Sequence, residues 1–198
     1  LRALKRAVDI ALSGTALVAL APLFAYFAIR IKLDSPGPVF FRQRRIGYRG
    51  EPFELIKFRT MVDGADERKR LVAELNRRTD GMFKIADDPR ITCFGAKLRR
   101  RSLDELPQLI NVFKGEMSLV GPRPLIEEES SLVEGRYRAR FKVRPGITGP
   151  WQVLGRSDIP FQKMVQLDYS YVANWSLGGD LKILLRTVSA VTDGRGAY

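Results

Sequence analysis

Residues 7–31, AVDIALSGTALVALAPLFAYFAIRI, form an apolar run that any fold of this chain must place first. As a helix rising ~1.5 Å per residue it can reach across a hydrocarbon core of ~30 Å. Three features argue against a plain crossing. Pro22 stands at its centre, where it removes a backbone hydrogen bond and crowds the preceding turn. Lys5 and Arg6 precede the run and Arg30 and Lys32 follow it, so the preference of basic residues for the cytoplasmic side applies to both ends. Asp9 lies in the first turns, where a lipid-facing carboxylate is costly. The run is therefore expected to enter the membrane, break near Ala21-Pro22 and return to the same face. Ser13, Thr15 or neighbouring helices would serve the backbone groups freed at the bend. A single kinked span is the alternative.

The remainder, residues 35–198, is long enough for one proper core. Its charge is lopsided: the chain carries +12 at pH 7, with a pI near 10.2. That excess calls for an acidic partner, whether nucleic acid, an anionic membrane surface or phosphorylated small molecules. Absences narrow the chemistry further. With no histidine in the chain, imidazole catalysis and histidine metal sites are excluded. The single Cys93 excludes an internal disulfide and reads as a small core residue. Any catalysis falls to carboxylates, lysines, arginines, hydroxyls or an oxygen-held metal.

After Ser35-Pro36-Gly37-Pro38 the pattern turns extended. Val39-Phe40-Phe41 and residues 53–58 read as strands joined through the turn-rich 47–50, a β-hairpin. Residues 63–78 read as a charged, solvated helix. Residues 96–101 are basic and helical. Ser102-Leu103-Asp104-Glu105 has the form of a capping box ahead of Leu106, Leu109, Ile110 and Phe113 at helical spacing, so Ser102 is expected to cap a helix whose first turn holds both carboxylates. Residues 117–124 run from a short strand into a rigid Gly/Pro loop, and 144–149 form another such loop. Residues 180–191 read as an amphipathic helix lying on an interface. The fold class is α/β (α+β), mainly helical with a short β-hairpin or sheet, plus the re-entrant membrane helix and amphipathic interfacial helices.

Asp104-Glu105 is the sharpest chemical candidate. Neighbouring residues project about 100° apart on a helix, so both carboxylates can address one metal or phosphate. Taken alone the pair is more often a helix cap. Around it stand Arg99, Arg100 and Arg101, with Arg123, Arg144 and Arg156 on Gly/Pro loops, where a guanidinium fork and approachable backbone N–H groups suit phosphate.

Five ordered runs carry a resemblance: KFRTM at 57–61, DPRIT at 88–92, RSLDELPQL at 101–109, NVFKGEMSLVGPRP at 111–124 and RPGITG at 144–149. Together with KRAVD at 5–9 and DLKI at 180–183, the chain resembles the bacterial sugar transferase family, the monotopic polyprenyl-phosphate phosphoglycosyl transferases. The resemblance covers nearly the whole chain. It implies a re-entrant helix at residues 1–34 and a cytoplasmic catalytic domain at 35–198 on the bacterial inner membrane. It also implies Mg²⁺ dependence and sugar 1-phosphate transfer from a UDP-sugar to polyprenyl phosphate with release of UMP, as at the start of exopolysaccharide, lipopolysaccharide or capsule assembly. The reaction would pass through a phosphosugar on Asp104, with Glu105 holding Mg²⁺ or assisting proton handling. Arg99 would lie near the polyprenyl phosphate and Arg123 near the nucleotide or phosphate. Lys57, Arg59, Asp88 and Arg90 fall within matching motifs as further substrate-binding candidates, beside Arg144 and Arg156.

One departure stands out. Ala21-Pro22 replaces the Ser-Pro that some small members carry at the break. Residues 67–84 look like the longer members, so the chain, which opens on Leu1, is expected to be the catalytic portion of a large form. Partners are then the UDP-sugar, polyprenyl phosphate and membrane lipids, with no nucleic acid, while a homodimer stays open. Two rival readings are a membrane-tethered basic nucleic-acid-binding module and a non-catalytic membrane scaffold.

Overall fold

A computed structural model describes residues 1–65, 85, 88–155 and 159–192. Almost all of the helix expected over 63–78 lies outside these residues, as does Arg156. The apolar run forms two helices, α1 (Arg2–Ala19) and α2 (Ala21–Asp34), bent by 60° about Leu20. Pro22 falls in the first turn of α2, where its missing N–H costs least. The helical ladder continues across the bend through Leu20 N–H to the Ala16 carbonyl and Phe24 N–H to the Leu20 carbonyl. Ser13, expected to serve the bend, instead donates to the Ile10 carbonyl one turn back. Among the described residues no single helix is long and apolar enough to cross a membrane, whereas the bent pair passes that test together.

The polarity of α1 points toward the rest of the protein. Lys5 Nζ meets Asp180 at 2.6 Å, and Arg6 donates to the Val112 and Phe113 carbonyls at 2.6 and 2.9 Å. Asp9, almost wholly buried, accepts the Leu119 N–H at 3.0 Å. The carboxylate that would be costly in lipid thus has a protein partner. Leu4, Val8, Leu12 and Val18 are exposed, as are Tyr26, Ile29 and Leu33 of α2.

After α2 the chain forms an antiparallel hairpin, β1 (Phe40–Ile46) and β2 (Pro52–Phe58), in register from Phe40 opposite Phe58 to Ile46 opposite Pro52. Phe58 packs with Phe24, Phe27 and Phe40, while Phe94 and Leu98 of α3 (Cys93–Arg100) close that cluster. Gly95 lets α3 lie against the strand exit, since a Cβ there would sit 2.2 Å from the Thr60 carbonyl oxygen. Thr92 caps α3 by accepting the Gly95 N–H. Cys93, in the first turn, is exposed rather than a core residue.

A 3-10 turn over Leu103–Glu105 leads into α4 (Gln108–Lys114). The capping box expected at Ser102 does not form. Ser102 adopts a left-handed conformation (φ 53°, ψ 24°) and makes no side-chain cap, because an N-cap needs extended backbone. Asn111, fully buried in α4, bonds the Glu54 carbonyl, the Ile56 N–H and Glu116, locking α4 onto β2.

A second sheet has two parallel strands, β3 (Ser118–Val120) and β4 (Gly146–Thr148). Between them run α5 (Glu127–Ser131) and a 3-10 segment (Gly135–Lys142). The pairing interlocks the two Gly/Pro loops: Gly121 N–H reaches the Thr148 carbonyl and Gly146 N–H the Pro122 carbonyl, both at 2.9 Å. Among the described residues three helices follow, α6 (Pro150–Leu154), α7 (Phe161–Ala173) and α8 (Leu177–Thr192). Trp151, Phe161, Met164 and Val165 join Leu125 and Val133 in a further core. In α8, Leu181, Leu185 and Val188 lie exposed at i, i+4 and i+7, one apolar face left uncovered by the described residues.

Candidate active site

Asp104 sits in the 3-10 turn between α3 and α4, which β2 approaches from below through its last residues. The turn is buried enough that Asp104 retains only 9 % exposure. Lys57, next to the end of β2, reaches across to Glu105, Nζ to Oε1 2.6 Å. The strand holds Lys57 there because its neighbours Ile56 and Phe58 are both buried, which turns Lys57 toward the opposite face of the pleat.

Electrostatics separates the two carboxylates. Burial pushes the Asp104 carboxyl up to about 6, with Lys57 opposing the rise, Glu105 adding to it and Arg99 opposing it. Desolvation disfavours its charge and two cations partly restore it. Glu105 is the more accessible and bears the lysine. One carboxylate is thus poised near neutrality in a dry setting, and its neighbour already holds a cation. A nucleophile or proton-transfer group can be tuned in this way.

Beyond the pair lies a group of arginines. Arg45 of β1, nearly buried, bonds Gln43 and the Pro124 carbonyl and stands 3.7 Å from Glu129. Burial lowers its pKa to about 10, followed by the neighbouring charge of Arg123, while Glu129 and Glu105 oppose the fall. Arg123 places its guanidinium 4.9 Å above the Trp151 ring. Its backbone carbonyl accepts from Arg140, which pairs with Asp168 at 2.9 Å in a fully buried bridge. Arg45 thus links the two groups: it feels the charge of Glu105 on one side and of Arg123 on the other.

The sequence candidates divide on this geometry. Asp104, Glu105, Lys57 and Arg99 come together, while Arg123 lies beside Arg45, whose charge reaches Glu105. Arg144 lies at the far end of α4, donating to the Gly115 carbonyl at 2.7 Å beside Arg6, so both cap the C-terminus of that helix. Arg59 is buried and ties down the exit of α2 through the Ser35 and Pro36 carbonyls. Asp88 and Arg90 bond each other through both carboxylate oxygens, and Arg90 also reaches the Ala65 carbonyl. That bridge holds the Asp88 carboxyl below its usual range.

Sequence reasoning missed Arg45, Arg140 and Asp168. Strand alternation was a usable signal for the first, since Gln43 and Arg45 fall on the inward positions of β1 and Arg42 and Arg44 on the exposed ones. Asp168 among the apolar residues of α7 carried a weaker one.

Among the described residues no cluster of three or more Asp, Glu or Cys side chains could hold a metal. The adjacent carboxylates of Asp104 and Glu105 still suit Mg²⁺. That ion commonly takes one or two protein carboxylates and completes its shell with substrate phosphates and water.

The family described as bacterial sugar transferase matches residues 1–194. The exopolysaccharide production protein ExoY of Sinorhizobium fredii is 42 % identical, over 98 % of this chain and 88 % of its own length. The undecaprenyl-phosphate galactose phosphotransferase of Salmonella typhimurium is 41 % identical over the whole chain, which spans 42 % of that protein. The UDP-glucose:undecaprenyl-phosphate glucose-1-phosphate transferase of Escherichia coli is 42 % identical, again over the whole chain and 42 % of its own length. Motif order, a family match over residues 1–194 and relatives above 40 % identity agree: the chain belongs to the bacterial sugar transferase family.

Proposed function

We propose that this protein moves a sugar 1-phosphate from a UDP-sugar to polyprenyl phosphate at the bacterial inner membrane, with Asp104 as nucleophile. The reading rests on one observation above others. A buried carboxylate with its pKa near 6 stands beside a Lys57–Glu105 bridge and within the field of Arg99.

In the first half-reaction an Asp104 oxygen attacks the sugar-bearing phosphorus. The bond from that phosphorus to the UMP oxygen breaks and UMP departs, leaving an acyl phosphosugar on Asp104. In the second, a polyprenyl phosphate oxygen attacks the same phosphorus, the aspartyl bond breaks and the carboxylate is restored. Arg99, Arg45 and Arg123 offset the charge of two anionic substrates brought together. Mg²⁺ held by Glu105 and Asp104 would supply charge neutralisation on the diphosphate.

The membrane part of the reading rests on polarity. The polar side chains Lys5, Arg6 and Asp9 turn to the protein while Leu4, Val8 and Leu12 turn out, the reverse of a soluble surface helix. A 60° bend with basic residues at both ends favours a re-entrant pair over a span. The apolar stripe of α8 would lie on the same surface, and the active site on its cytoplasmic face.

The test of the chemistry is an assay of UMP release with a panel of UDP-sugars and polyprenyl phosphate. Asp104→Asn should abolish both release and a covalent sugar-phosphate adduct seen by intact-protein mass spectrometry. Near-normal UMP release from that variant would refute the assignment. Cysteines introduced near Arg6 and Lys32 of a Cys93→Ser protein should both label from the cytoplasmic side, whereas labelling from opposite sides would mean a span.

A further inference from the structure

A cavity of about 430 Å³ opens between the start of α1, the hairpin tip and the 3-10 segment 135–142. Arg2, Arg49, Arg138 and Lys142 line it with Tyr48 and Phe141, and no carboxylate does. Among the described residues none of these four cations forms an ion pair. Arg49 lies 5.1 Å over the Tyr48 ring, which also has Arg144 at 5.5 Å, and Arg138 lies 5.8 Å over Phe141. Like charges are thus gathered about two aromatic rings with no carboxylate among the described residues paired to them.

Backbone strain is placed there too. Arg49 has φ 62° and ψ 12°, a left-handed conformation that a residue with a Cβ adopts at a cost. The tip is held by Gly47 N–H to the Glu51 carbonyl at 2.8 Å and Gly50 N–H to the Gly47 carbonyl at 3.2 Å. None of the seven lining residues is among the active-site residues described above, and Lys57 and Pro52, five residues apart on β2, have Cα atoms ~17 Å from each other.

We propose that this cavity binds the phosphate headgroup of an anionic glycerophospholipid. Arg2 begins α1, whose outward side chains are apolar, so the cavity opens at the level where α1 would enter the bilayer interface. Clustered cations at such a level attract anionic headgroups, and a tyrosine suits the boundary between polar and apolar layers. The inference rests on the embedding of α1 and α2 proposed above.

The test uses the full chain in neutral detergent, titrated calorimetrically with short-chain phosphatidylglycerol, short-chain phosphatidylcholine and inorganic pyrophosphate. The expected result is saturable binding of phosphatidylglycerol, at least tenfold tighter than phosphatidylcholine. Combining Arg49→Gly, Arg138→Gln and Lys142→Gln should remove that preference. Glycine suits the backbone at position 49, so the fold should survive, as a melting curve would verify; if the combination does not fold, Arg49→Gly alone should weaken the preference measurably. An undiminished preference in the folded variant overturns the proposal, and so does binding of pyrophosphate without binding of the lipid. Flotation on pure phosphatidylcholine vesicles judges the embedding separately. Wild type and variant should float alike, and failure of both would remove the embedding while the titration still decides the headgroup site.

Discussion

Lys57 and Glu105, 48 residues apart in sequence, meet at 2.6 Å where the end of β2 faces the turn carrying Asp104. The bridge does two things at once. It fixes the orientation of the turn, and it places a cation whose field favours ionisation of the buried neighbour.

Lys57→Met should therefore act through Asp104 and not only through Glu105. Loss of the cation that opposes burial moves the Asp104 carboxyl further upward. The acid limb of the rate of UMP release, expected near pH 6 in the wild type, should shift to higher pH. A single-turnover pH profile reads this directly. A uniform loss of rate with an unmoved limb would mean that Lys57 only positions the turn.

Asp104→Asn should stabilise the protein while removing activity by about a thousandfold or more. Burial lifts the folded carboxyl to about 6, above the ordinary aspartate value of about 3.9, so the folded state binds the proton more tightly than the unfolded chain. Ionising it opposes folding, and this group's destabilisation grows as pH rises from about 4 to about 6 and is complete above that range. It amounts to the order of a few kcal/mol. The melting temperature of Asp104→Asn should exceed that of the wild type at pH 8, with the difference vanishing near pH 4. Equal melting temperatures at pH 8 would contradict the desolvation account.

The buried Arg140–Asp168 bridge gives a contrasting expectation. Asp168→Asn would leave Arg140 buried and unpaired, at a cost of about 3–5 kcal/mol. Arg140 also holds the Arg123 carbonyl, so the loop of Arg123 should loosen and the KM for the UDP-sugar should rise in whatever fraction stays folded. Chemical denaturation with UMP-release kinetics checks both. A drop in stability below 1 kcal/mol would show that the pair is solvated.

On α8, replacing Leu181, Leu185 and Val188 by Ser tests the outward stripe. Each side chain contributes about 1.5 kcal/mol or more if it sits in hydrocarbon. The triple variant should fall off vesicles in a flotation assay and keep its melting temperature, since none of the three is buried in the protein. Lower melting temperature with unchanged flotation would make the stripe a packing surface instead.

Local pattern revealed the elements that local chemistry determines. The hairpin and its tip, the bend just ahead of Pro22 and the amphipathic α8 stand close to where alternation, proline and helical spacing placed them. The Asp104-Glu105 pair was visible as chemistry, but its surroundings were not. The Ser102 capping box failed because the chain enters the turn through a left-handed residue, which spacing does not encode. Arginines were the least legible. A guanidinium on a Gly/Pro loop suits a phosphate and a backbone carbonyl equally, and only tertiary contact separates Arg123, beside Arg45, from Arg144, which caps α4. Arg45, Arg140 and Asp168 owe their meaning to burial, which depends on what the remote parts of the chain lay over them.

Asp9 and Lys5, bonded to the Leu119 N–H and to Asp180, turn α1 from an anchor into a gauge. An anchor on a flexible leash lets its cargo bob, whereas α1 cannot slide along its axis without breaking both bonds. With α1 embedded as proposed, the depth of its outward leucines sets the height of the Asp104 turn. On that reading a polyprenyl phosphate reacts only at that height, and one inserted helical turn ahead of the bend would mis-set it by about 5.4 Å.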